Sequence, residues 1–586
     1  MYFLRQKRGH RMVFWGRRMF LGGLAGLVGL AGLIVSLFLP GAWAAEIQPG
    51  TSPPADSPPA KNVILMIADG AGLEAYTLAR WMKGAPLAVD SLEVALVKTH
   101  STDSVITDSA PAATAYATGL RTSNAFLSVG PSPKVLSTLQ PPPEDMPYRP
   151  LATVLEGAKL LGKATGIVVT CRVTHATPAA FMAHTPHRDD EQNIMIQIVH
   201  QNVDVVLGGG WELLLPSSAG GKRTDGRDLA AVLQQRGYQM PKTRQELAQL
   251  KTGKVFGLFA PGHLAAEIDR PSLAPHEPHL EEMTRKAIEI LKADPDGFFL
   301  MVEGSQIDWA AHANDPAHLV HDMLMFDRAV AAAAEFARQD GQTLLIVVSD
   351  HATGGLSIGN TGPLSKGTLS VEAVVEPIRR MKCSAPVLWK MVGKAPTPER
   401  FQQILREEWG IEIQPKEAAE ILTEAQRDPK NPQNAVTLLS TRYTALGWTT
   451  HSHTGGDVVL FTLGPGRPKG VLASPQVGRC IADALGLDMD QLNARLFVEP
   501  GKVMPDVKVS LLPEGAKMPQ SIRLEYGQKK VELPLQENLL KQADQTTQLE
   551  GLCLYASQTH RVYVPLQALR FLTDSEEPLP AIRPKR

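Results

Sequence analysis

The stretch Asn62-Val63-Ile64-Leu65-Met66-Ile67-Ala68-Asp69-Gly70 decides the fold. Its apolar run is continuous rather than alternating, so it reads as a strand covered on both faces, and it stops abruptly at an acidic residue and a glycine. Further runs of this kind stand at Ala164 to Thr170, Val203 to Leu207, Phe298 to Val302, Thr343 to Ser349 and Val458 to Leu463. Helical patterns separate them. One helix opens at Asp315-Pro316, an N-cap and first-turn pair, and carries Leu319, Met323, Phe326 and Val330 on one face. The expected fold class is therefore α/β, a three-layer sandwich with a large, mostly parallel central sheet and helices on both faces.

The chain has 586 residues, enough for one large α/β domain with additions or for two or three ordinary domains. Arg5, Lys7, Arg8, Arg11, Arg17 and Arg18 precede an uncharged Gly/Leu-rich run from Met19 to Leu39 and then Ala42-Trp43-Ala44. That order is an export signal over residues 1–45, and Arg17-Arg18 resembles a twin-arginine signal. The A-x-A pattern favours cleavage and an exported, periplasmic or extracellular product; a retained segment would anchor the chain to a membrane. Removing residues 1–44 takes away six basic and no acidic residues, leaving 53 basic against 60 acidic. No basic stripe with interleaved aromatics remains, which argues against nucleic acid as a partner.

Residues 46–60 are rich in Pro and Ser and read as a linker. The main domain is expected over 61–486, interrupted at about 363–446 by an insertion with helices around Pro398 to Trp409 and Pro415 to Arg427. Residues 487–586 change to alternating segments such as Ser521 to Tyr526 and Arg561 to Pro565, a small β-rich appendage. Cys171, Cys383, Cys480 and Cys553 lie far apart, match no C-x-x-C pattern and read mainly as small buried hydrophobes, although export would permit pairing.

In an open parallel sheet, ligands bind beyond the carboxyl ends of the strands. The apolar runs end in Asp69-Gly70, Glu303-Gly304 and Asp350-His351, and the run ending at Thr170 leads to His175-Ala176-Thr177-Pro178. One acidic residue after a strand is usually a turn former, but several strand ends converging point to a site. Asp308 and His312, at i and i+4, share one helical face or one tight turn, about 5–6 Å apart at Cβ, and a carboxylate with an imidazole suits zinc or a similar ion. His453 completes a three-ligand set, with His451 competing for that place. In Thr107-Asp108-Ser109-Ala110-Pro111, Ser109 reads as a helix N-cap with Pro111 in the first turn, where backbone N–H groups and the helix dipole favour an anion. Arg188 could clamp two phosphate oxygens, or answer the neighbouring Asp189, Asp190 and Glu191.

Taken in order, Asp69-Gly70, Thr107-Asp108-Ser109, His175-Ala176-Thr177-Pro178, Val302-Glu303-Gly304 with Asp308 and His312, Ser349 to Gly355, and His453-Thr454-Gly455 resemble the alkaline phosphatases, from about Lys61 to Leu485. The resemblance implies metal-dependent hydrolysis of small phosphate monoesters through a phosphoserine on Ser109, with two zinc (or cobalt) ions and one magnesium per chain. Asp308, His312 and His453 would hold the first zinc, and Asp69, Asp350 and His351 the second. Asp69, Thr177 and Glu303 would hold the magnesium. Arg188 falls at the phosphate-binding arginine and Asp108 at the acidic neighbour that orients it, so Asp108, Ser109 and Arg188 would bind substrate.

Two positions depart from the commonest pattern. Trp309 stands where many members carry Lys or His, and His175 where some carry Asp near the magnesium; the two together resemble certain bacterial members. The same core could serve a diester or a sulfate ester, although no Cys-x-Pro-x-Arg motif surrounds Ser109, or a silent phosphate-binding envelope protein. A homodimer stays open.

Overall fold

The computed structural model describes residues 59–360, 362, 367–394, 396–516, 518–573 and 579–583. The basic segment, the apolar run, the Ala42-Trp43-Ala44 motif and nearly all of the linker lie outside the described residues. Among the described residues no helix is long and apolar enough to cross a membrane.

The central sheet has nine strands: β1 (Asn62–Ala68), β2 (Glu93–Lys98), β3 (Ala164–Arg172), β4 (Val205–Gly209), β5 (Val255–Leu258), β6 (Phe298–Gly304), β7 (Thr343–Val348), β8 (Val458–Leu463) and β9 (Val471–Ala473). Their spatial order is β9-β2-β8-β7-β1-β6-β3-β4-β5. Only β8 runs against the rest, pairing antiparallel with both β2 and β7, while the other pairings are parallel. The mostly parallel sheet is as expected, although the pattern did not distinguish β8 from its neighbours and passed over β2, β5 and β9. β2 exposes one face, with its first two residues on the surface, so it lacks the continuous apolar run that marks a central strand.

Side chains alternate across β1, and this builds three layers. Val63, Leu65 and Ile67 join one core with Ile167, Met301, Ile346 and Ala113 and Tyr116 of α1 (Ser109–Thr118). Ile64, Met66 and Ala68 join the opposite core with Leu300 and Val347. There α4 (Pro316–Asp340) contributes Leu319, Met323, Phe326 and Val330, the face read from its spacing. Asp315 caps α4 through the N–H groups of Ala317 and His318, with Pro316 in the first turn. Two shorter helices complete the site scaffold, α2 (Ala176–Met182) and α3 (Gln306–His312).

Between β7 and β8 the described residues form helices at Val371–Arg379, Ala385–Val392, Pro398–Ile404, Pro415–Ala425 and Gln433–Tyr443. A wide turn over Leu405–Trp409 extends the third of these. They share a core of Val374, Ile378, Phe401, Trp409 and Leu439 that reaches Ala317 and Val320 of α4. Near the C-terminus, β10 (Lys508–Leu512), β11 (Ser521–Tyr526), β12 (Lys529–Pro534), β13 (Leu539–Gln542) and β14 (Gln545–Gln548) make a five-stranded antiparallel meander in sequence order. Its inner face, including Ile522, Leu524 and Leu533, packs on Leu569 and Leu572 of a last helix, Leu566–Thr573. All four cysteines are buried and unpaired.

Candidate active site and metal centre

Sheet order places the candidate residues. β7, β1, β6 and β3 are consecutive neighbours, and their ends are level: Ile67 is opposite Val348 on one side and Glu303 on the other, and Glu303 is opposite Val169. Chain leaving these strands therefore delivers Asp350 and His351, Asp69, Glu303, and then His175 and Thr177 to one crevice. Gly70 has a left-handed φ of +72° and donates its N–H to Asp350 Oδ1 at 3.1 Å. A Cβ there would lie 2.6 Å from Asp308 Oδ1, so the glycine lets α3 approach β1.

Two ligand clusters face each other across this crevice. Asp308, His312 and His453 bring one donor atom each within 4.8 Å of one another, as do Asp69, Asp350 and His351. Hydrogen bonds on the far side of each ring aim the imidazoles. His312 Nδ1 donates to the His451 carbonyl at 2.6 Å, and His453 Nδ1 donates to the Thr107 carbonyl at 3.0 Å, so both Nε2 atoms point inward. His451 instead turns its Nδ1 to the His312 carbonyl at 2.8 Å, which leaves His453 as the histidine of the cluster. The rings of His351 and His453 stack with centroids 3.7 Å apart, joining the two clusters.

Four buried carboxylates meet here: Asp69, Glu303, Asp308 and Asp350. Burial, reinforced by Asp350, Asp308 and Glu303, raises the Asp69 pKa far above the carboxylate range. Burial also lifts Glu303 to about 7 and Asp350 to about 6. Asp308 is held well below the usual range: burial opposes ionisation, but the hydrogen bond and charge of His312, with His351 and His453, outweigh it. Both Asp69 oxygens, Asp350 Oδ2, Glu303 Oε1 and Thr177 Oγ1 are buried with no hydrogen-bond partner. Orphaned oxygens at this density fit bound cations, because a buried anion is otherwise strongly destabilising.

Ser109 opens α1 directly above the Asp69 cluster, with its Oγ 3.1 Å from His351 Nε2. The expected cap is corrected. Asp108, not Ser109, is the N-cap, and its Oδ1 accepts from the Ala110 N–H at 3.2 Å. A carboxylate one residue earlier reaches the free N–H groups and releases the serine to face the crevice. Tyr116 ties α1 down by donating to the Ser349 carbonyl at 2.8 Å. Arg188 pairs through Nη1 with Asp108 Oδ1 rather than with its acidic sequence neighbours, and its Nη2 lies 3.1 Å from His175 Nε2.

The alkaline phosphatase family model matches residues 60–487. The chain belongs to the alkaline phosphatase family. Alkaline phosphatase 3 of Bacillus subtilis is 34% identical over 422 residues, 69% of this chain and 84% of the relative. Alkaline phosphatase 4 of the same organism is 34% identical over 446 residues, 73% of this chain and 89% of the relative. Among solved structures, the Thermus thermophilus alkaline phosphatase superposes with a TM-score of 0.67 at 29% identity, covering 77% of this chain and 96% of that one. Metal-dependent phosphomonoester hydrolysis through a phosphoserine is the general property of this family.

The two unusual family positions form one wall of the crevice. The Trp309 ring lies 5.4 Å from that of His175, edge to face, and 4.0 Å from that of His263. Arg172, paired with Glu191 at 2.5 Å, also contacts His263. Burial, with Arg172 adding to it, pushes the His263 pKa down to about 3, so this wall is a neutral imidazole against an indole. His263 and Thr353 went unnoticed in the sequence. Thr353 donates to Asp308 Oδ1 at 2.6 Å and lies 3.2 Å from His351 Nδ1, linking the clusters, and it sits inside the Ser349 to Gly355 motif. His263 lies just beyond β5, one of the strands passed over because its short run is broken by Gly257, so its place after a strand end went unread.

Proposed function

We propose that this chain hydrolyses phosphate monoesters with Ser109 as the nucleophile. The observation that carries this reading is Ser109 Oγ, buried and 3.1 Å from His351 Nε2, where two clusters of carboxylates and histidines meet, one of them with orphaned carboxylate oxygens. Asp308, His312 and His453 would hold one zinc or cobalt ion, and Asp69, Asp350 and His351 a second. Asp69, Thr177 and Glu303 would hold the third ion, magnesium in the family pattern. When bound, such ions lower the pKa of a serine hydroxyl and of a hydrolytic water and stabilise a departing oxygen.

The chain's own residues supply binding and orientation. Arg188 offers a planar fork to two phosphoryl oxygens, and Asp108 fixes that fork by pairing with Nη1. The N-terminus of α1 adds its positive dipole end toward the same anion. Ser109 Oγ forms a bond to phosphorus as the ester oxygen leaves with the alcohol; water then displaces Ser109 and releases inorganic phosphate. Because this transition state is loose, charge stabilisation and alignment suffice, and no Ser-His-Asp relay is required. The N-terminal basic segment and A-x-A motif support export as the setting, with membrane attachment only if that segment is retained.

Ser109→Ala tests the reading. Turnover of an aryl phosphate should fall roughly 10³-fold or more while metal content stays at the wild-type level. Undiminished hydrolysis by this variant overturns the serine mechanism.

A further inference from the structure

One corner of the crevice holds donors that the phosphatase reading leaves unused. Cys171, near the end of β3, is fully buried, and its Sγ lies 3.5 Å from Glu303 Oε2. Cys171 Sγ, a ring nitrogen of His175 and a carboxylate oxygen of Glu303 lie within 4.8 Å of one another. His175 Nδ1 is buried without a partner, and it binds an ion only in the tautomer with the ring proton on Nε2, which requires the Arg188 Nη2 that lies 3.1 Å from Nε2 to turn away. Glu303 Oε1 and Thr177 Oγ1, on side chains with no exposure, are orphaned in the same corner. The edge-to-face contact with Trp309 braces the His175 ring.

Donor chemistry discriminates between ions. Magnesium takes hard oxygen ligands in an octahedron and keeps several waters. A thiolate and an imidazole select zinc or cobalt and satisfy a tetrahedral centre with one or two oxygen donors. We propose that the third metal position of this chain is a zinc site built by Cys171, His175 and Glu303, in place of the magnesium site of three oxygen donors. A zinc ion held there would take the Cys171 sulfur as a thiolate, its proton going to solvent. This inference rests on the phosphatase reading for the identity of the crevice, but concerns only which ion the third position takes. A buried Cys171 that merely donates its S–H to Glu303 is the competing account.

Metal counting and spectroscopy separate the two. Full-length protein is stripped with a chelator and reloaded with zinc plus a large excess of magnesium, and bound ions are counted by mass spectrometry. Wild type should retain three zinc ions per chain. Cys171→Ser, and Cys171→Ala as a second variant with folding checked by circular dichroism, should retain two and take up magnesium, with third-site zinc affinity reduced by more than the roughly 10- to 100-fold that loss of an outer-shell partner costs. Cobalt-loaded wild type should show a thiolate-to-cobalt charge-transfer absorption in the near ultraviolet that both variants lack. Two zinc ions and one magnesium in wild type, or three zinc ions and unchanged cobalt absorption in either variant, overturns this inference alone. Wild type that binds neither zinc nor cobalt overturns the phosphatase reading and this inference with it.

Discussion

Arg188 and Asp108, 80 residues apart, form a part-buried ion pair at the N-terminus of α1, and the same Asp108 carboxylate caps the helix that presents Ser109. One side chain thus sets both the Arg188 guanidinium and the backbone that presents Ser109.

Asp108→Ala should therefore act in two ways. Losing the cap costs about 0.5–2 kcal/mol of stability. Freeing Arg188 should raise the inhibition constant for inorganic phosphate about tenfold, or ~1.4 kcal/mol. Arg188→Lys, which keeps the charge but loses the fork, should show the weakened phosphate inhibition without the stability loss. Thermal unfolding and product-inhibition kinetics read the two effects separately.

Chelation should invert the pH dependence of stability near neutrality. Without cations, burial holds Glu303 near 7 and Asp350 near 6, above their unfolded values, so the folded state binds more protons than the unfolded chain. That contribution is fully present below the unfolded pKa values and disappears as pH rises through 6 and 7. The melting temperature of chelated protein should fall between pH 5 and pH 8, whereas metal-replete protein, in which protons and ions compete for these oxygens, should become more stable over that range. Melting scans across pH with and without chelator decide it; parallel curves would refute it.

Gly70→Ala should disable the centre although it removes no ligand. The backbone is left-handed there, and the added carbon would sit 2.6 Å from Asp308 Oδ1 and 2.8 Å from Asp308 Cα. Strain of about 1–3 kcal/mol is expected, together with displacement of α3. Loss of one zinc per chain, measured by mass spectrometry, should accompany the loss of activity.

Trp409→Ala should loosen the helical insertion. The indole is fully buried, and its Nε1 donates to the Cys383 carbonyl at 2.9 Å. Truncation should cost about 3–5 kcal/mol, through the cavity and the orphaned carbonyl. Limited proteolysis should then cut between residues 371 and 443 well before the central sheet.

Much of the fold was legible because continuous apolar runs have few alternatives to a strand buried on both faces. β2 was not, because one of its faces is exposed and its register is set by β8, a partner more than 350 residues away. The site divided in a similar way. Asp69, Glu303, Asp350 and His351 announced themselves by ending apolar runs, and Asp308 with His312 by helical spacing. His263 was missed because the short run of β5 before it is broken by Gly257, and Thr353 because, within its motif, it matters only through what it touches.

By itself, the sequence determined which apolar runs end in carboxylates, that Asp308 and His312 stand close enough to act together, and which family those motifs resemble, because strand burial and short-range spacing are local properties of the chain. Tertiary structure alone decided that His453 rather than His451 faces Asp308, that Asp108 rather than Ser109 caps α1, and that Arg188 answers Asp108 instead of Asp189. It also turned Cys171, which by sequence reads as a small buried hydrophobe, toward Glu303. Each of these outcomes depends on which orphaned polar atom lies within about 3.5 Å after packing, a distance that spacing along the chain does not encode.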